Sequence, residues 1–122
     1  MRCERLSRRN YSLHSEGRAI DWHLDAHDRS DRRVARKLIA LLLASDRLGN
    51  RHALARRMGI QGVIWNCRSW FSDAEGMGPY PLCRRGHVSD TLAHRDHVHL
   101  ELNLRGARMR TSFWRRRVAS GL

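Results

Sequence analysis

At 122 residues the chain is one domain, large enough to bury a modest core without staples. Its 41% hydrophobic content is ordinary for a globular protein, and no apolar run approaches the roughly 18 residues of a membrane span, which excludes an integral helical membrane protein. The formal net charge is +12, and almost all of it is arginine, since Lys37 is the only lysine; an excess of this size attracts some polyanion, whether nucleic acid, anionic lipid or an acidic cell-wall polymer.

The opening MRCERLSRRN is polar and shows no apolar stretch of a signal peptide. The chain is therefore expected to stay in the cell, to leave by another route, or to lack its leader. Residues 1 to 17 read as irregular. AIDWHLDA, 19 to 26, alternates, with Ile20, Trp22 and Leu24 on one side and Asp21, His23 and Asp25 on the other, as in a half-buried strand. RSDRRVARKLIALLLASDRLG reads as the main helix, with Asp28 or Ser30 as N-cap and Gly49 as its stop. Its expected buried face holds Val34, Leu38, Leu41 and Leu42. A short second helix is expected from His52 to Met58, stopped by Gly59.

GVIWNCRSW, 62 to 70, is aromatic and β-branched and reads as a second strand. A Gly/Pro loop follows from Ser72 to about His94. HVHLELNL, 97 to 104, is the most regular alternation in the chain: Val98, Leu100, Leu102 and Leu104 are expected in the core, and His97, His99, Glu101 and Asn103 on the opposite face. The tail RMRTSFWRRRVASGL reads as a basic surface helix or arm. Cys3, Cys67 and Cys83 are an odd count without a CxxC spacing, which argues against a thiolate zinc finger and allows at most one internal disulfide.

Imidazole and carboxylate pairs are the raw material of a catalytic zinc site, which needs three protein ligands and an open position for water. His14 and Asp21 are of the right types, with Gly17 able to turn the chain between them. His97 and His99, two apart, point the same way from one strand. If the two strands are antiparallel neighbours with their polar faces on one side, His14, Asp21 and His99 converge. The bland alternative is a solvated polar face on an alternating strand, with no chemistry.

The spacing Ser12-x-His14-x-x-Gly17-x-Ala19-x-Asp21 resembles the SxHxxGxAxD signature of zinc D-Ala-D-Ala carboxypeptidases and L-alanyl-D-glutamate endopeptidases. Asp96-x-x-His99 resembles that group's second signature. The resemblance runs from about Cys3 to Asn103. It implies Zn²⁺ held by His14, Asp21 and His99, with Asp96 as the general base. His97, on the same strand face as His99, is the competing candidate, or a contact to substrate or transition state. Arg9, with Arg8 and Arg18 beside it as alternatives, is the candidate to stabilise an oxyanion. His94 is a candidate to orient Asp96, and Glu101 to accept a hydrogen bond from a ligand histidine.

The expected architecture is α+β: a small antiparallel sheet, helices packed on one face, and a zinc cleft on the other. Residues 1–104 would form the peptidase-like domain and 105–122 a basic C-terminal arm or helix of it. The expected activity is hydrolysis of an amide in peptidoglycan stem peptides by metal-activated water, at the cell wall or outside the cell, with an acidic wall polymer as a possible further partner. A metal-dependent nuclease, or a non-catalytic relative binding wall or polyanion, is the alternative.

Overall fold

Two alternating segments decide the sheet. In the computed structural model, which describes residues 17–119 and Gly121, β1 (Ala19–His23) lies antiparallel against a later strand, His97–Leu102. Between them in sequence come α1 (Arg29–Leu43), α2 (Ala53–Met58), β2 (Ile60–Trp65), β3 (Arg68–Phe71) and the two-residue β4 (Gly78–Pro79), then a 3-10 turn at Pro81–Arg85. The His97–Leu102 strand is thus β5. It is followed by α3 (Leu104–Ala107) and α4 (Ser112–Ala119). The sheet order is β1-β5-β2-β3-β4, and every neighbouring pair is antiparallel. The small α+β architecture with an antiparallel sheet is as the alternation suggested.

β5 is the central organiser because its period of two separates two chemistries. Val98, Leu100 and Leu102 are buried in one cluster with Val63 and Trp65 of β2, Trp70 of β3, Ala35 and Leu42 of α1, and Ala55 of α2. Residues 97, 99 and 101 alternate with these and so take the opposite face. Leu104 leaves the pattern: it opens α3 and is half exposed, because Asn103 turns the chain by capping the Gly106 amide.

Asp28 caps α1 through the Asp31 amide. The helix ends at Leu43 rather than near Gly49, since Ala44 is extended and Asp46 gathers the Leu48 and Asn50 amides into a turn. The buried face of α1 is Ala35 and Leu42, with Leu38 and Ile39 partly covered, while Val34 and Leu41 are exposed. Gly59 ends α2 in the left-handed conformation, and a Cβ there would sit 2.6 Å from the Gly106 Cα. This close approach locks α3 onto the end of α2, and Trp114 of α4 adds a hydrogen bond from Nε1 to the Met58 carbonyl.

The segment expected as one strand over 62–70 is a hairpin. Asn66 and Cys67 both have positive φ, and Trp65 pairs with Arg68, so two residues make the turn. Both positive φ values suit the twist of the flanking strands. Cys67 is disulfide-bonded to Cys83, with a Cα–Cα distance of 5.7 Å. Cys3 lies outside the described residues.

The bond closes a loop with a sequence separation of 16. Chain entropy alone assigns such a loop about 3 kcal/mol. A Cys67→Ser/Cys83→Ser variant is therefore expected to be less stable by about 3 kcal/mol, checked by denaturant melts beside the parent with and without reductant.

Candidate metal centre

The register of β1 on β5 sets Asp21 directly opposite His99, and His23 opposite His97. Because opposed residues in an antiparallel pair share a face, the Asp21 carboxylate meets the polar side of β5. Asp21 Oδ1 is 3.0 Å from His99 Nδ1 and 3.6 Å from His97 Nε2.

Each of these histidines is held from behind. His97 donates from Nδ1 to Asp96 Oδ1 at 2.6 Å, and His99 has Nε2 3.2 Å from Glu101 Oε1. A carboxylate on the far nitrogen fixes the tautomer and ring orientation and makes the near nitrogen a better donor. The near nitrogens, His97 Nε2 and His99 Nδ1, are the two that face Asp21. Asp96 has both oxygens engaged, since Thr91 donates from Oγ1 to its Oδ2 at 2.7 Å.

His94 completes the group. Its ring centroid is 4.6 Å from that of His97 and 5.3 Å from that of His99, with Tyr80 edge-on at 5.5 Å. His94, His97 and His99 each offer a ring nitrogen within 4.8 Å of the other two. No strand periodicity brings His94 here. The hairpin turn does so: the Asn66 amide donates to the His94 carbonyl and the Cys67 amide to the Ala93 carbonyl. His94 itself has φ of 55°, a left-handed conformation that turns the chain just ahead of β5.

These donors fit a metal ion. Zinc bonds of 2.0–2.1 Å in a tetrahedron set donor atoms roughly 3.3 Å apart, and Asp21 Oδ1 and His99 Nδ1, at 3.0 Å, lie close to that spacing. Of the expected ligands, the structure brings Asp21 and His99 together; His14 lies outside the described residues, as does Arg9. Arg18 is turned to the other end of the strand pair, where its Nε donates to the Leu102 carbonyl at 3.0 Å.

Electrostatics separates the histidines. Burial, reinforced by the positive potential of His97 and His99, pulls the His94 pKa down to about 4. Burial also opposes charge on His99, but its hydrogen bonds to Glu101 and Asp21 outweigh that, and its pKa lies above the ordinary value. The hydrogen bond from His97 lowers the Asp96 pKa despite some desolvation, with Thr91 adding to the effect.

A pH dependence follows. His94 titrates near 6.5 when unfolded and near 4 when folded, so between those values the unfolded state binds more protons and stability falls as pH falls. His99, shifted upward, contributes stability below 6.5 that is lost as pH rises through its folded value. The metal-free protein is thus expected to lose stability as pH falls from about 6.5 towards 4, and His94→Gln to flatten that slope. Denaturant melts in chelator across this range check it.

The fold and the cluster together define a small α+β domain carrying a histidine–carboxylate group suited to a metal. The chain belongs to the family described as VldE, C-terminal domain, whose family model matches residues 2–94. No curated protein and no solved structure matches it. Membership of the zinc D-Ala-D-Ala carboxypeptidase and L-alanyl-D-glutamate endopeptidase family, expected from residues 12–21, is overturned by this match, which contains that whole segment. Five fixed positions in ten specify a glycine, an alanine and three polar residues, and a different family carries them here. β5, with His97 and His99, follows the matched stretch.

Proposed function

We propose that the domain is a metal-dependent hydrolase that cleaves an amide in peptidoglycan stem peptides. The observation that carries this reading is the pair of carboxylate-backed histidines, His97 on Asp96 and His99 on Glu101, both turned onto Asp21. Asp21 and His99 hold the ion in this reading, with His14 as third ligand by its spacing from Asp21. A zinc ion there supplies an acidified water and a Lewis acid for the scissile carbonyl.

His97 takes the proton of the attacking water on Nε2 and returns it to the leaving amine. Asp96 was the expected base. With its two oxygens on Thr91 and His97 it instead holds the His97 ring and stabilises the imidazolium that forms there. The substrate class is supported by charge and by compartment: stem peptides carry carboxylates, which a +12 chain attracts, and the Cys67–Cys83 bond suits an oxidising space.

The test is hydrolysis of purified muropeptides by zinc-loaded protein, with chelator and with readded zinc. Release of new amines that is lost with chelator supports the reading. Stoichiometric zinc without turnover points to a non-catalytic binding relative, and plasmid cleavage with Mg²⁺ or Mn²⁺ to a nuclease.

A further inference from the structure

The exposed side of α1 carries a second chemistry, on the far side of the molecule from the histidine cluster. Ala35 and Leu42 bury α1 against the sheet face that holds Val98 and Leu100, whereas His97 and His99 project from the other face. The outward side of α1 is therefore turned away from the candidate metal centre. One concavity there is lined by Arg29, Arg32, Arg33, Arg36, Lys37 and Ala40. Arg29, Arg33, Arg36 and Lys37 are exposed.

The carboxylates of α1 and its N-cap lie at the N-terminal end, where Asp28 acts on Arg32. Asp31 is the sole acidic residue of α1, and its Oδ2 accepts from the Asp25 amide at 2.9 Å. Beside the cations stand apolar side chains that the core does not use. Leu41 is 62% exposed, Val34 is 42% exposed, and Leu48, at the tip of the turn after α1, is 88% exposed with Arg47 next to it.

Cations alone suit any polyanion. Cations flanked by exposed leucines suit a surface that has an anionic outer layer and an apolar interior within reach, because each leucine leaves water while each arginine stays among head groups. A soluble polymer has no use for Leu41 and Leu48.

We propose that α1 and the following turn form a peripheral docking surface for anionic phospholipid bilayers, with Arg29, Arg33, Arg36 and Lys37 on the head groups and Leu41 and Leu48 dipping beneath them. Docked this way, the protein presents the His97–His99 face away from the bilayer. The proposal goes beyond the hydrolase reading and does not depend on it.

The test is sedimentation of the full chain with vesicles of phosphatidylcholine alone and of phosphatidylcholine mixed with phosphatidylglycerol, at low and physiological salt. Binding to the mixed vesicles only is expected. At about 1 kcal/mol per basic residue near an anionic surface, Arg33→Gln/Lys37→Gln should weaken it roughly 30-fold. Leu41→Ser/Leu48→Ser, both at exposed positions, should weaken it on the order of tenfold. Arg105→Gln/Arg108→Gln removes the same charge at α3 and should change it much less.

Equal binding to both vesicle types, or none, overturns the proposal. So does a serine double variant that binds like the parent, which together with retention on immobilised polyphosphate would make α1 a general polyanion surface. Equal losses from the α1 and α3 charge variants would show attraction by net charge without a docking face, and would also overturn it.

Discussion

His99→Ala is expected to remove the metal altogether. Elemental analysis should give about one ion per chain in the parent and none in the variant, with affinity lowered by well over the 10–100-fold typical of losing an outer hydrogen-bond partner. Glu101→Gln gives that smaller loss in the same titration, because Glu101 touches only the far nitrogen of His99. The raised pKa of His99 adds a signature. Metal must displace a proton from this ring, so binding releases protons and weakens as pH falls through the His99 pKa. Calorimetry in buffers of different ionisation enthalpy reads that proton. A folded parent that takes up no metal ends the hydrolase reading.

His97→Ala is expected to keep the metal and lower turnover by roughly 10²–10⁴, the usual contribution of a positioned general base. Asp96→Asn should cost less, since the imidazole remains and loses only the carboxylate that orients it, and it should shift the pH–rate profile. Three results separate the possible roles. Loss of metal in His97→Ala makes His97 a ligand. Retained metal with lost turnover makes it the base. A larger loss in Asp96→Asn than in His97→Ala, with metal retained in both, returns the proton transfer to Asp96.

What the sequence made legible was whatever repeats or caps. The alternation of HVHLEL separated the core side of β5 from its histidine side, and the structure keeps that division as far as Leu102. Asp28 and Gly59 were visible as ends of helices, because a side-chain cap and a left-handed glycine are local devices. Tertiary choices were not visible. On α1 the expected Leu42 and Leu38 do face the core, but Ala35 is buried there while the expected Val34 and Leu41 are exposed, and only the position of the sheet and α2 decides that. The hairpin at Asn66–Cys67 was hidden within a continuous run of strand-forming residues. His94 was expected near Asp96 from its position in the chain, but its place against the rings of His97 and His99 comes from backbone hydrogen bonds to that hairpin, which no spacing within its own segment could announce. The family was misjudged for a related reason: a short pattern of turn and donor residues records local geometry, and different families share it.

The hairpin turn also has a consequence for how the protein matures. Cys67 ties the segment before β5 through its amide on the Ala93 carbonyl, accepts the Tyr80 amide on its own carbonyl, and is bonded through sulfur to Cys83. Three stretches distant in sequence, the β2–β3 hairpin, the segment 80–85 and the His94 loop, are thereby fastened at one residue. Closing the bond removes loose conformations of the loop that delivers His94 to the other two imidazoles. If the domain works as proposed, oxidation comes first: a chain whose thiols have joined holds the rings of His94, His97 and His99 in place before an ion arrives, whereas a reduced chain must still order that loop.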